Sequence, residues 1–393
     1  MPLSRDLWRP RIFCLAHPAL DQADHPLPQR PDNRMQLFQC QKCSQLLYFE
    51  NTLCETCGSS LGYEPISAQL QALQADGDAW RPVTDPDQAY RFCDNAGHGA
   101  CNWLIPVDSS ARYCLACRHN RTIPALAEGE NLLRWRRLEY AKHRLFYQLI
   151  KLKLPLPTNS ELPGHGLVFD FLAEAQQPGA AKVMTGHDDG LITLNLQEAD
   201  DAAREKLRTQ MHEPYRTLLG HFRHEIGHFY WDLLVRDGNK LDQCRTVFGD
   251  DRDDYNQALQ RHYQNGAPAD WQENFISQYA TTHPWEDFAE TWAHYLHIVD
   301  TLETAANFRL GVHPRKVEDP DLHADITLNP YGAGPIQGLI EAWLPLTFAI
   351  NSLNRSMGIA DLYPFILSST VVAKMGFIHQ LVQGTLQDDA SAS

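Results

Sequence analysis

His224, Glu225 and His228 stand in the order H-E-x-x-H inside the stretch His221-Phe222-Arg223-His224-Glu225-Ile226-Gly227-His228-Phe229-Tyr230-Trp231. Histidines four residues apart on a helix lie one turn apart on the same face, so both imidazoles could reach one zinc ion. Glu225 would project beside that ion, where it could take a proton from bound water. A pair of buried structural histidines is the plainer alternative. It leaves unexplained why two His and a Glu crowd a largely apolar stretch, where unpaired polar groups are costly. Tyr215, Leu218 and Leu219 ahead of the motif, and Phe229, Tyr230, Trp231, Leu233 and Leu234 behind it, recur at the spacing of a core-facing helix.

Two imidazoles leave zinc short of a protein ligand. The run from His283 to Tyr295 predicts a second helix, opened by Pro284 and carrying Phe288, Ala289, Trp292, Ala293, Tyr295 and Leu296. Glu286, Glu290 and His294 fall on one stripe of it. Glu286 is the expected third ligand, with Glu290, one turn on, accepting a hydrogen bond from a ligand imidazole. The two glutamates could exchange roles, and His294 is a third choice. Water would keep the fourth position, as catalytic zinc requires.

A different metal chemistry is written near the N-terminus. Cys40-x2-Cys43 and Cys54-x2-Cys57 form two knuckles that close a tetrahedral four-cysteine site, with Gly58 permitting the bend past the last ligand. Four thiolates leave no open position, so the zinc would be structural; a rubredoxin-like iron centre suits the same spacing. Cys93, Cys101, Cys114 and Cys117 form a second, looser group, expected to hold another structural zinc, in which His98 could replace one cysteine.

The elements that must position these groups follow in order. Residues 1–36 predict an irregular arm, in which Cys14 and His17 lack a second pair of ligands. Ile66 to Leu73 predicts a short helix and Asp76 to Asp87 a linker. Glu130 to Leu154 predicts a long amphipathic helix stopped by Pro155 and Pro157. Strands are expected at Leu167 to Phe171 and Leu191 to Asn195, the latter entered through the hairpin turn Asp189-Gly190, with a loop over 175–181 between them. A polar helix over Glu198 to Met211 follows, and Pro214 suits the first turn of the H-E-x-x-H helix. An edge strand beside the cleft could pair with an extended peptide. Asp250 to Asp254 lacks the spacing of a calcium loop and suits helix capping. Gly338 to Leu353 and Tyr363 to Leu381 predict two C-terminal helices, with Trp343, Leu344, Phe348, Ile350 and Leu353 facing a core and a frayed tail from Asp388.

The 393 residues are 43% hydrophobic and 21% charged, a globular composition with room for two or three domains. The net charge of −15 repels a phosphate backbone, so nucleic acid is not the expected partner, although Arg134, Arg136, Arg137, Lys142 and Arg144 could form a local basic patch. The N-terminus lacks a signal-peptide core, and no apolar run is long enough to span a membrane. A cytoplasmic protein is expected, in which the ten cysteines serve best as metal ligands.

From about Leu37 to Val382, the paired ribbons followed by R-H-E-I-G-H-F-Y-W and W-E-D-F-A-E-T-W-A-H-Y resemble a bacterial family of zinc-binding metallopeptidases with an N-terminal zinc-ribbon domain. Glu-x-x-x-Glu after H-E-x-x-H resembles the gluzincin arrangement; no H-x-x-G-x-x-H extension follows His228 to suggest a metzincin. The resemblance implies an α+β chain: an arm (1–36), a four-cysteine ribbon (37–64), a second zinc-binding module (88–120) and a largely helical zincin-like domain with a small sheet (121–387). It also implies an oxyanion helper. In the gluzincins related to lethal factor a tyrosine lies seven residues before the glutamate ligand, which here is Tyr279, with Tyr295 and His283 as competitors. The expected activity is hydrolysis of a peptide or protein substrate with one catalytic and two structural zinc ions. The alternative is a binding or assembly factor that meets a protein partner through its ribbons and uses the zincin fold as a scaffold.

Overall fold

A computed structural model describes residues 37–174, 183–210, 216–315, 319–332 and 334–387. The arm with Cys14 and His17, the loop over 175–181, Met211, Pro214, Tyr215 and the tail from Asp388 lie outside the described residues.

The first cysteine knuckle sits on a short antiparallel hairpin, β1 (Phe38–Gln39) and β2 (Leu46–Leu47). An antiparallel meander of five strands follows in sheet order: β3 (Ser60–Glu64), β4 (Gln69–Asp76), β5 (Ala79–Pro82), β6 (Tyr90–Phe92) and β7 (Leu104–Pro106). The helix expected from Ile66 to Leu73 and the linker after it are therefore strands β4 and β5. Gln69-Leu70-Gln71-Ala72 alternates polar and apolar residues with Leu70 and Ala72 buried, the period of a strand. Asp76 pairs with Ala79 across a tight turn in which Gly77 takes a left-handed φ of 61°. The stretch expected to separate two zinc modules is thus part of the sheet that runs from one cysteine group to the other.

The amphipathic helix α1 (Asn131–Lys151) forms as its periodicity predicts. Around it lie β8 (Asn120–Thr122), β9 (Val168–Leu172), β10 (Gly186–Asp188) and β11 (Leu191–Asn195), in the order β10-β11-β9-β8. β10 and β11 are antiparallel, while β9 is parallel to both β11 and β8. The turn between β10 and β11 places Asp189 at φ 43° and Gly190 at φ 87°, both left-handed, as a two-residue hairpin demands. β10 and β8 are the outer strands of this sheet among the described residues. A 3-10 turn (Leu196–Ala199) leads into α2 (Asp201–Gln210).

The H-E-x-x-H helix, α3 (Leu218–Tyr230), begins later than Pro214 suggests. Thr217 caps it, its hydroxyl accepting from the Gly220 N–H at 3.0 Å. Beyond Tyr230 the helix widens into a π-turn, Trp231–Arg236. α4 (Leu241–Phe248) and α5 (Tyr255–Asn265) follow, the latter capped by Asp254 from the acidic run. α6 (Pro284–Asn307) opens with Pro284 and is capped by His283, whose Nδ1 accepts from the Trp285 N–H. α7 (Ile336–Ser356) and α8 (Ser369–Val382) close the described chain.

Packing sets α3 directly against α6. A Cβ on Gly227 would stand 3.0 Å from the Ala289 Cα, so glycine at this position permits the close approach. α1 covers the other side of α3, tied by Arg223: its guanidinium donates to Gln148 of α1 at 3.2 Å and to Asp300 of α6 at 2.5 Å. One core runs unbroken from Phe38 of the ribbon through Trp135, Phe169, Phe222 and Trp292 to Val382.

Two expectations about surfaces change. On α7, Trp343 is buried, but Leu344, Phe348 and Leu353 lie outward, Phe348 and Leu353 being 62% and 66% exposed. The basic residues of α1 do not form an open patch: Arg134 pairs with Asp200, Arg144 with Glu50, and Arg136 and Arg137 donate to backbone carbonyls, while Lys142 is buried against Glu139. Among the described residues no helix is long and apolar enough to cross a membrane.

Candidate active site

Three donor atoms from two helices meet at one point. His224 Nε2 lies 3.2 Å from His228 Nε2, and Glu286 Oε2 lies 3.1 Å from the first and 3.4 Å from the second. A tetrahedral zinc with bonds of about 2.0–2.1 Å separates its ligands by about 3.3 Å, so the spacing is that of three corners around one ion. Glu286 is almost wholly buried there, and its Oε2 has no hydrogen-bond partner among the described residues. His224, His228 and Glu286 could therefore hold a metal.

Neighbouring groups fix the orientation of these three. Glu290 Oε1 accepts from His224 Nδ1 at 2.7 Å, which leaves the Nε2 lone pair facing the centre; its other oxygen accepts from the Ser277 hydroxyl at 2.6 Å. Tyr255 donates to the second oxygen of Glu286 at 2.6 Å. The Trp285 ring lies 3.7 Å, centroid to centroid, from that of His228. Glu290 is thus brought to the site without joining the converging trio. His294 is not brought there: its Nδ1 meets the Tyr363 hydroxyl at 2.8 Å.

Glu225 is buried beside the two histidines. Burial raises a carboxyl group's pKa, but the contact with His221 and the neighbouring imidazoles outweigh it and hold Glu225 below the usual carboxylate range. The Tyr279 ring stands 6.0 Å from that of His224. Burial first, then Glu286, pushes the Tyr279 phenol far above its ordinary value, so it stays a donor. The competitors are engaged elsewhere, Tyr295 with His379 and His283 with the cap of α6.

The cysteines form two further clusters that could hold metal. Cys40 and Cys57 approach to 3.6 Å between sulfurs, Cys43 and Cys54 to 3.6 Å, and Cys101 and Cys114 to 3.8 Å. Those are far longer than a disulfide and match the edge of about 3.8 Å expected of a zinc tetrahedron with sulfur bonds of about 2.3 Å. Gly58 (φ 71°) makes the bend after the second knuckle, and Ser44 (φ 63°) makes the same bend after the first. His98 is exposed and is not among the donors that converge in the second cluster. The histidine that meets it is His143 of α1, with Nε2 3.5 Å from the Cys117 sulfur and Glu139 3.7 Å from the same atom.

Nothing in the local sequence singles out Tyr255, Ser277, Glu198 or His143. Each lies on a segment whose own pattern is that of an ordinary helix or loop, and only the folded chain carries Tyr255, Ser277 and His143 to a metal-binding cluster and Glu198 to His221. His221 alone has a local signal, standing one helical turn before Glu225.

An α+β chain whose paired cysteine knuckles precede two helices with converging His and Glu side chains is, as a class, a zinc-ribbon protein with a metallopeptidase-type metal centre. More narrowly, it belongs to the family described as "putative zinc-binding metallo-peptidase": residues 131–381 match that family's model, and residues 37–128 match a zinc-ribbon domain. It is 42% identical over 355 residues, 90% of this chain and 97% of theirs, to uncharacterized proteins of Mycobacterium bovis and Mycobacterium tuberculosis. No solved structure matches it.

Proposed function

We propose that the chain is a gluzincin-type peptidase that hydrolyses peptide bonds with His224, His228 and Glu286 as zinc ligands and Glu225 as general base. The convergence of the three donor atoms at 3.1–3.4 Å, with a buried carboxylate beside them, is the observation that carries the proposal. A zinc ion held there would polarise the scissile carbonyl and lower the pKa of water. Glu225 takes the proton from that water and returns it to the leaving amine. Glu290 keeps His224 in the tautomer whose Nε2 is unprotonated. The Tyr279 hydroxyl, its ring 6.0 Å from that of His224, donates to the carbonyl oxygen as it gains charge. The edge of β10, packed against α3, pairs with an extended substrate backbone.

The two four-cysteine clusters are structural in this proposal, giving three zinc ions per chain. The test is cleavage of a diverse peptide and denatured-protein library by zinc-replete protein, beside Glu225→Gln with its metal content measured. Cleavage that disappears in a variant still carrying three zinc ions supports the peptidase. Equal behaviour of the two proteins refutes it and favours a scaffold that meets its partner through the ribbons.

A further inference from the structure

On the same face of α3 as His224 and Glu225, a further histidine is held between two carboxylates. His221 stands one turn before Glu225 on α3, and its Nε2 lies 3.3 Å from Glu225 Oε1. Its Nδ1 is hydrogen-bonded to Glu198 Oε2, and the other oxygen of Glu198 accepts from the Thr185 hydroxyl. Glu198 is buried in the 3-10 turn that follows β11, with Arg216 as a further charged neighbour and Arg204 donating to its backbone carbonyl at 2.7 Å. A buried glutamate in such a turn needs a partner, and the partner chosen is a histidine whose far nitrogen points at the proposed base.

An ionised carboxylate only accepts, so an imidazole with one at each nitrogen is best matched by a proton on both. The electrostatics agree with the geometry. Burial alone would depress His221, yet Glu198 and Glu225 raise it to about 9; burial alone would raise Glu198, yet His221 lowers it to about 2.

We infer that Glu198 and His221 form a clamp that positions Glu225, engaging its Oε1 so that Oε2 is turned to the attacking water. The inference rests on the peptidase function proposed above. Its residues act through Glu225 and touch neither metal nor substrate, so they are positioning residues. A carboxylate free to rotate away from the water loses the alignment that makes proton transfer efficient, and a misplacement of 1 Å can lower rate about 10²-fold.

The kinetic test compares wild type with His221→Ala, Glu198→Gln and the double variant. Each single variant should lower kcat about 10- to 100-fold with KM and zinc affinity unchanged. The double variant should be no worse than the worse single one, because both break one chain of contacts. Imidazole in the buffer should restore part of the kcat of His221→Ala and none of that of Glu198→Gln. Unchanged kcat, or kcat, zinc content and thermal midpoint falling together, would overturn the clamp. A second measurement needs no turnover. Protein labelled with 15N at histidine should show His221, identified by its loss in His221→Ala, protonated on both ring nitrogens at pH 7 and on one in Glu198→Gln. A single proton in the wild type overturns the clamp even if the enzyme is active; two protons in a protein that cleaves nothing would uphold the clamp while the peptidase proposal failed.

Discussion

Removing Glu290 separates the two glutamates of α6 by experiment. In the structure its Oε1 takes the His224 Nδ1 proton at 2.7 Å and its Oε2 takes the Ser277 hydroxyl at 2.6 Å. A hydrogen bond to a charged partner is worth about 1.5–3 kcal/mol, and a neutral one about 0.5–1.5 kcal/mol. Glu290→Ala abolishes the charged bond and should weaken zinc binding at the His–His–Glu centre about 10- to 100-fold. Glu290→Gln keeps a neutral acceptor for His224 and a donor for Ser277, so it should lose about 1–1.5 kcal/mol, close to tenfold. Glu286→Ala removes one of three protein donors and should lose more than either. The affinities are read by competition with a chromogenic chelator for the exchangeable zinc, while total metal analysis confirms that the cysteine clusters stay loaded. If Glu290→Ala loses more zinc than Glu286→Ala, the two roles are reversed and the proposed ligand set is refuted.

Other consequences are open to direct measurement. Tyr279→Phe should lower kcat about 10²- to 10³-fold with little change in KM; a fall in zinc affinity instead would mean that Tyr279 acts on the metal ligands. Lys374→Met leaves the buried Asp287 without the ammonium now 2.6 Å away, and should destabilise the fold by about 3–5 kcal/mol at pH 8. Burial already lifts Asp287 to about 7 from 3.8 despite Lys374, and losing the lysine lifts it further. A group whose pKa is raised by folding contributes stability at low pH and loses it as pH rises, so the deficit should shrink when denaturation is repeated at pH 5. Gly227→Val puts a branched side chain where a Cβ already meets Ala289 at 3.0 Å; chemical denaturation should show a loss of about 1–3 kcal/mol, with weaker zinc binding because α3 is pushed from α6. Cys54→Ser should lose one equivalent of zinc and lower the thermal midpoint without altering the peptidase centre's affinity.

Much of the metal chemistry is legible in the sequence because helical spacing is short-range. His224 and His228, or Glu286 and Glu290, are one turn apart whatever the rest of the chain does, and the C-x-x-C knuckles are as local. The convergence of these side chains depends on α3 lying on α6, for which the small residues Gly227 and Ala289 are the local hint. What the sequence hides are contacts set by chain far away. His98 sits inside the second cysteine group by number, yet His143, on a later helix, faces the sulfurs. Gln69 to Ala72 alternates with period two, but in so short a run Leu70 and Leu73 also suit a helical face, and only pairing with β3 and β5 decides between them. Leu344, Phe348 and Leu353 share the composition of a core helix without being turned toward one. Tyr255 lies in a polar helix with nothing to mark its hydroxyl as a partner of Glu286.

The meeting of His143 with Cys117 also puts a clock on biosynthesis. The cysteines of both clusters leave the ribosome before α1 exists, and 26 residues separate Cys117 from His143. At about 5–20 residues per second, that interval lasts about one to five seconds. During it the thiols of the second cluster lack the helix that will bury them, and whatever reaches them first, metal or oxidant, does so unopposed. In the three-zinc protein proposed above, metal supplied during translation meets these thiols before α1 covers them.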